Sequence, residues 1–106
     1  MPTFADFKKF EFKIAEIESA QVHPNADKLY VLKLRVGEAQ KQIVAGIRLH
    51  YTLEELPGKK VVIIDNLDPA VIRGVESQGM LLAASDETRL TLVVPERPMA
   101  SGTRVR

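Results

Sequence analysis

Apolar residues fall at every second position over much of this chain. Tyr30, Leu32, Leu34 and Val36 alternate with positions that carry Lys33 and Arg35, the period-two signature of a strand with one face on a core. Upstream, Phe10, Phe12 and Ile14 alternate, Ile17 falls out of phase, and Ala20 and Val22 return to the even positions. A long first strand with a bulge near Ala15-Glu16 accounts for that shift. Gly37-Glu38-Ala39 turns the second strand into a third over Lys41–Ile47. The short apolar runs Lys60–Asp65 and Gly79–Ser85 read as buried fourth and fifth strands, and Leu90–Val94 as a last short one.

Polar punctuation separates these runs. Thr3-Phe4-Ala5-Asp6 places a candidate N-cap and an acid three residues on, predicting a short helix through about Lys9. His23-Pro24-Asn25-Ala26-Asp27 is a turn by composition. Thr52-Leu53-Glu54-Glu55 has the form of a capping box, and Pro57-Gly58 closes the short helix it starts. Between the fourth and fifth strands runs a long polar loop, Asn66 to Met80, broken by Asp68-Pro69, Arg73-Gly74 and Ser77-Gln78-Gly79. The whole predicts an all-β fold: a five-stranded OB-type barrel with a short helix between strands three and four. A β-sandwich would need more strands. The chain reads as one domain over 1–106, with the barrel at 10–94 and terminal extensions on either side.

Composition narrows the function more than the fold. At 106 residues and 45% hydrophobic, there is enough apolar chain for one modest core. Fifteen basic residues stand against fourteen acidic ones, which argues against a general polycation and leaves room for a local basic face. Cysteine is absent, so disulfides and thiolate chemistry are excluded. No apolar run approaches the ~20 residues that span a bilayer, and the start lacks a signal-peptide pattern. A cytoplasmic protein without membrane contact is the expectation. All the phenylalanines, Phe4, Phe7, Phe10 and Phe12, crowd the first segment. They form either a plug over one end of the core or an aromatic contact between subunits.

Catalysis has little to stand on. His23 and His50 are the only histidines, each at a turn or strand exit, where a histidine is more often solvated or capping than a general base. Ser77 lies in Gly-Val-Glu-Ser-Gln-Gly, which is not a nucleophile elbow. Glu16 and Glu18 share a strand's solvent face. Two distant histidines make no metal set, and no glycine-rich loop enters a helix to cradle phosphate. The expectation is a non-enzyme with no metal and no cofactor.

Binding remains. Lys33 and Arg35 project from one face of the second strand, Lys28 stands at its start, Lys41 opens the third strand and Arg48 follows its end. That is either a solvated strand face or a ligand surface, and OB barrels bind oligonucleotides or oligosaccharides on strands two and three with the flanking loops. The loop from Asn66 to Met80 forms the other wall. Its Asn66, Ser77 and Gln78 are hydrogen-bonding groups, Arg73 is a planar charge fork and Met80 a soft apolar contact. Tyr30 falls on the core side, leaving only Tyr51 near the surface. With so few rings for stacking, the pattern points to folded RNA read by backbone and shape.

His23–Gly37 (HPNADKLYVLKLRVG), Gln42–Ile47 (QIVAGI), Tyr51–Gly58 (YTLEELPG) and Asn66–Met80 (NLDPAVIRGVESQGM) together resemble the tRNA-binding OB domain family. That family occurs as the C-terminal domain or separate β-subunit of methionyl-tRNA synthetase, as free tRNA-binding proteins, and in cytokine precursors. The resemblance implies a barrel that binds tRNA mainly by shape and assists methionyl-tRNA synthetase by raising its affinity for tRNA. It further implies a homodimer held by segments outside the barrel, here 1–9 and 95–106, and association with the synthetase catalytic chain. By matching motif, Asn25 and Lys28 belong to the first turn, Asn66 to the end of strand four, and Arg73, Ser77 and Met80 to the loop.

One departure stands out. Many relatives resemble Asn-Leu-Lys-Pro-Arg-Lys where this chain has Asn66-Leu67-Asp68-Pro69-Ala70-Val71. The loss of three basic positions shifts the expected attraction onto Lys28, Lys33, Arg35, Lys41 and Arg48, with a shallow salt dependence. A sister group of similar size resembles chaperone-like, peptide-binding OB homodimers of secretion. Its first turn looks like Asn-Pro-x-Ala-Arg-x-Pro-Ala-Tyr, whereas Asp27-Lys28-Leu29 here matches the tRNA-binding branch.

Overall fold

A computed structural model describes residues 1–106. The elements run in the order α1 (Phe4–Phe7), β1 (Phe12–Val22), β2 (Tyr30–Val36), β3 (Ala39–Ala45), β4 (Lys60–Ile64), β5 (Ala70–Ile72), β6 (Val75–Ser77), β7 (Met80–Leu81), β8 (Ala83–Ser85), β9 (Leu90–Leu92) and β10 (Arg104–Val105). The main sheet has the antiparallel order β3-β2-β1-β4-β7, with β10 added beside β1. Residues 12–16 of β1 pair with β4 and residues 16–22 with β2, so one long strand curls through both halves of the sheet. Gln78 N donates to Gln42 O at 2.8 Å and joins the far edge back to β3. This curled all-β sheet is the expected OB-like barrel.

The alternation of β2 holds: Tyr30, Leu32, Leu34 and Val36 turn inward, while Lys33 and Arg35 are exposed. They meet Ile17, Ile43, Ile47, Leu56 and Ile63 in one core. Each such side chain contributes roughly 1.5–3 kcal/mol by leaving water.

Several expectations need correction. The bulge lies at Glu18, where the β1–β2 register shifts between Ile17 and Ser19, and not at Ala15-Glu16. Around Ile14 both faces of β1 are covered, since Ile14 and Ala15 are both buried, and a strand buried on both faces loses its alternation. The tail pairs with the backbone of β1 at this point: Gly102 N donates to Ile14 O at 2.7 Å and Ile14 N to Thr103 O at 2.8 Å. This final strand on the barrel was not foreseen.

No helix forms between β3 and β4; Leu53–Glu55 and Pro57-Gly58 are only turns. Half of the capping box is present, with Thr52 N donating to Glu55 Oε2 at 2.7 Å. Pro57 then arrives before a second turn can close, and Gly58 at φ 92° leaves the helical region. The N-terminal helix does carry a full capping box between Thr3 and Asp6, but stops after four residues. The phenylalanine plug is also revised. Phe4, Phe7 and Phe10 are 74%, 41% and 43% exposed. Phe4 stacks on Phe7 and Phe7 on the half-buried Phe12, the latter pair with centroids 5.5 Å apart, while Phe10 meets Phe12 at a tilt.

The candidate nucleic-acid interface

The loop between the fourth and fifth strands is largely a hairpin. β5 and β6 pair through Ala70↔Ser77 and Ile72↔Val75, joined by Arg73 at φ 53° and Gly74 at φ 88°. Two successive positive φ values are the mark of a type I′ turn, whose twist matches the flanking strands. Glycine adopts that conformation freely, whereas Arg73 does so at some cost. The hairpin docks on β3: Val44 N donates to Ser77 Oγ at 3.0 Å, Gln42 N to Gln78 Oε1 at 2.9 Å and Gln42 Nε2 to Glu76 O at 2.9 Å.

The first turn docks on the hairpin tip. His23 is buried, its Nδ1 accepting from Asn25 N at 3.0 Å and its Nε2 lying 2.9 Å from Ile72 O. The backbone N–H fixes Nδ1 as acceptor, so Nε2 carries the proton and donates to Ile72. Of the two expected roles, solvated or capping, the second holds: His23 caps the turn through Asn25 N and is at the same time a buried joint to the hairpin. Asn25 Nδ2 donates to Arg73 O at 3.3 Å, and Arg73 NH2 to Asn25 O at 2.9 Å. Arg48 joins the same turn, donating from NH1 to Ala26 O at 3.2 Å and from its backbone N to Lys28 O at 3.4 Å. Asn25, Lys28, Arg48 and Arg73 are thus brought together, and none of the three cations makes an ion pair.

On the outer face of β2, Lys33 is opposite Gln42 and Arg35 opposite Gln40. Lys33 Nζ donates to Gln42 Oε1 and has no carboxylate partner. Arg35 is held by Glu18 Oε2 at 3.0 Å, and Gln40 Nε2 reaches the other oxygen of the same carboxylate. Glu18, expected on a solvent face, takes up half the positive charge of the outer face of β2. Cross-strand neighbours at a bulge are the signal that finds it.

Three other expected site residues have their polar atoms engaged by other segments of the chain: Lys41 and Ser77 in part-buried bonds, Asn66 in exposed ones. Lys41 is in register with Leu34, on the opposite face from Lys33 and Arg35. Its Nζ donates to Asp65 O at 2.6 Å and pairs with the Asp65 carboxylate, which Lys13 Nζ meets at 2.8 Å on the other side. Burial of Asp65 works to raise its carboxyl, but the hydrogen bonds from Lys13 and Lys41 outweigh it and hold the group below the usual carboxylate range. The hydrogen bond to Asp65 likewise holds the Lys13 ammonium above its ordinary value. Asn66 uses both ends of its amide on the N-terminal segment, accepting from Glu11 N at 2.8 Å and donating to Lys9 O at 2.7 Å. Ser77 is 3% exposed, accepting from Val44 N and donating to Gly79 O at 3.2 Å. Met80 is exposed, beside an apolar groove. Tyr51 is half-buried, its hydroxyl accepting from Leu92 N at 3.0 Å and its carbonyl from Tyr30 OH at 2.7 Å, so it offers no free ring tip.

Residues 12–104 match the family described as "Putative tRNA binding domain". The chain belongs to this tRNA-binding domain family. It is 45% identical over 104 residues to the methionine–tRNA ligase of Nanoarchaeum equitans, covering 98% of this chain and 13% of that protein. To the methionine–tRNA ligase of Thermococcus kodakarensis it is 47% identical over 104 residues, covering 98% and 14%. The chain therefore spans about one-seventh of the length of these relatives. Among solved structures it is similar to a MetRS related protein from Pyrococcus horikoshii, with TM-score 0.92 and 34% identity over 100% of this chain and 98% of that one. It is also similar to the chaperone CsaA of Bacillus anthracis, with TM-score 0.91 and 27% identity over 100% and 99%. No helix is long and apolar enough to cross a membrane.

Proposed function

We propose that this domain is a non-catalytic tRNA-binding module that raises the tRNA affinity of a methionyl-tRNA synthetase. The observation that carries the reading is the convergence of Lys28, Arg48 and Arg73, unpaired, beside the Lys33 face in a chain of this family. Such cations position a phosphate backbone without reading its sequence. Holding tRNA near a catalytic chain makes acceptor-end docking nearly intramolecular. Asn25 supports the site by fixing Arg73, while Ser77 and Asn66 shape it from within. Lys41 acts through Asp65 on the barrel rather than on the ligand.

The module is a homodimer in this reading. The exposed row Phe4, Phe7 and Phe10 is an apolar surface that a monomer leaves in water. The tail from Pro95 flanks it, with Val105 in register with Phe12.

A gel shift of bulk tRNA against an RNA duplex of equal length tests the proposal. Preferential retardation of tRNA is expected, together with a lower KM for tRNA when the domain is supplied with a synthetase. Equal affinity for the two RNAs would sink recognition by shape. Peptide chaperoning is the second reading, favoured by the likeness to the chaperone CsaA of Bacillus anthracis. The 34% identity to the MetRS related protein against 27% to CsaA ranks it below tRNA binding. Suppression of client aggregation that tRNA does not compete away would reverse that order.

A further inference from the structure

Between the end of β3 and the hairpin lies a groove of about 550 Å³, lined by Val44, Ile47, Leu67, Ile72, Met80 and Leu90 among others. That volume is in the range of small-ligand sites. Met80 in its lining is 52% exposed, so apolar surface stands open in a wall where Asp68 and Ala70 replace two of the lost basic positions.

None of the three cations lines this groove, but two of its lining residues, Ile47 and Ile72, immediately precede Arg48 and Arg73. Ile72, part of the wall, accepts from His23 at 2.9 Å. Gly46, on the opposite lip, has Leu29 Cδ2 within 3.7 Å of where a Cβ would stand. The turn His23–Leu29 therefore bridges both lips and carries Lys28, with Arg48 and Arg73 bonded to it. Asp27 and Asp68 are the acids nearby, and Asp68 itself lines the groove.

We propose that this groove takes an unstacked nucleobase of the bound tRNA, while Lys28, Arg48 and Arg73 hold the flanking phosphates. The proposal rests on the tRNA-binding reading above and deepens it. A base presents two apolar faces and a polar edge, and the groove offers apolar walls with one carboxylate, Asp68, able to accept from an amino or imino N–H of that edge. No aromatic ring lines it, so the base is held by burial and by the polarisable Met80 rather than by stacking. A cationic rim on an apolar slot suits a polyanion with apolar groups, which favours a nucleotide over a peptide anchor.

The test uses the full chain carrying Ala70→Phe or, separately, Ala83→Phe. Both alanines are exposed residues of the groove lining, on different strands. Each variant is expected to bind tRNA about tenfold more weakly at every salt concentration, with an unchanged slope of log affinity on log salt. Short single-stranded RNA containing 2-aminopurine is expected to change its fluorescence on binding the unaltered chain and not on binding either variant. Lys28→Gln, in contrast, is expected to reduce the slope by about one. Unchanged tRNA affinity in both filled variants overturns the proposal while leaving tRNA binding standing. Disagreement between the two variants also overturns it. Failure of the unaltered chain to bind tRNA at all overturns the underlying reading instead. Loss of capture of an apolar unstructured peptide, with tRNA binding intact, assigns the groove to peptide and overturns the base.

Discussion

Asn25 and Arg73, 48 positions apart in sequence, hold each other by paired hydrogen bonds, the amide of Asn25 donating to Arg73 O and the Arg73 guanidinium to Asn25 O. One residue comes from the first turn and the other from the tip of the β5–β6 hairpin. Their bonds, with the His23–Ile72 contact beside them, make a single platform of two segments that the sequence presents as separate loops. The same guanidinium that braces the platform is a charge aimed at solvent, so its structural and binding roles can be separated by substitution.

Arg73→Gly does so. The backbone there sits at φ 53°, where a side chain costs about 1 kcal/mol and glycine does not. Losing a hydrogen bond of the exposed kind costs about the same. The two effects offset, and thermal stability is expected to stay within about 1 kcal/mol of the parent chain in denaturant titration. Binding of tRNA is expected to fall about tenfold. A variant that binds tRNA like the parent would remove Arg73 from the interface.

The charged triad Lys13–Asp65–Lys41 predicts how stability depends on pH. The Asp65 carboxyl is held below its ordinary range in the folded chain, so its contribution is present above the unfolded value of about 3.9 and is lost as pH falls through the folded value. Lys13 is held above its ordinary value, so its contribution is complete below about pH 10.4 and is lost as pH rises through the folded value. Denaturant midpoints are expected to be flat between about pH 5 and 9 and to decline outside that window. Asp65→Asn leaves two half-buried ammonium groups facing each other and is expected to cost about 2 kcal/mol at neutral pH. A variant whose stability matched the parent from pH 3 to 7 would show the triad to be energetically idle.

The repeat of alternating residues made the barrel legible, because each β2 position on the inner face is apolar and each charged one is outside. The docking of distant segments was not legible. Nothing in the local pattern near Ser77, Asn66 or Lys41 marks them as partners of distant backbone and carboxylate groups. Each is a polar residue in a motif that sequence logic assigns to a surface. Lys41 shows the physical reason. Strand parity puts it on the core side, opposite Leu34, and a charge there persists only because Asp65, from another strand, neutralises it. The bulge at Glu18 escaped for a related reason: Ile14 and Ala15 are both buried, and a stretch covered on both faces lacks the alternation on which a register argument depends.

Tail docking has its own test. Gly102 lies at φ 89°, and a Cβ on it would fall 2.8 Å from Gly37 Cα. Two backbones cross there with no room for a methyl group. Gly102→Ala is expected to lift the segment Ser101–Val105 from β1 and to cost about 2 kcal/mol, from left-handed strain and the clash together. Hydrogen exchange at Ile14 N–H, which donates to Thr103 O, is expected to accelerate in step. Unchanged exchange at that amide would mean that the tail is not held by this crossing.

The phenylalanine row gives a prediction about assembly. Phe4→Ser with Phe7→Ser removes exposed rings and disturbs only one stacking contact to Phe12, so folding stability is expected to change by about 1 kcal/mol or less. The mass in solution is expected to drop from dimer to monomer in light scattering. A dimer of undiminished stability would place the contact between subunits elsewhere.

Lys33 and Arg35 look equivalent in sequence, and the structure makes them unequal. Arg35 spends its charge on Glu18 at 3.0 Å, whereas Lys33 meets only the neutral Gln42. Exposed pairs of this kind contribute little to stability, about 0–1 kcal/mol, so substitutions here leave the fold intact. In the parent chain the Glu18 carboxylate offsets the Arg35 charge that RNA would meet. Lys33→Glu is therefore expected to weaken tRNA binding more than Arg35→Glu. Glu18→Gln, which frees Arg35 and removes a repelling carboxylate, is expected to tighten binding severalfold and to steepen the salt slope by about one. Dimer mass is expected to persist in all three, because none touches the phenylalanine row. Equal losses for Lys33 and Arg35, with no gain from Glu18→Gln, would mean that bound RNA pulls Arg35 away from Glu18 at no cost, and that the ion pair does not tune affinity.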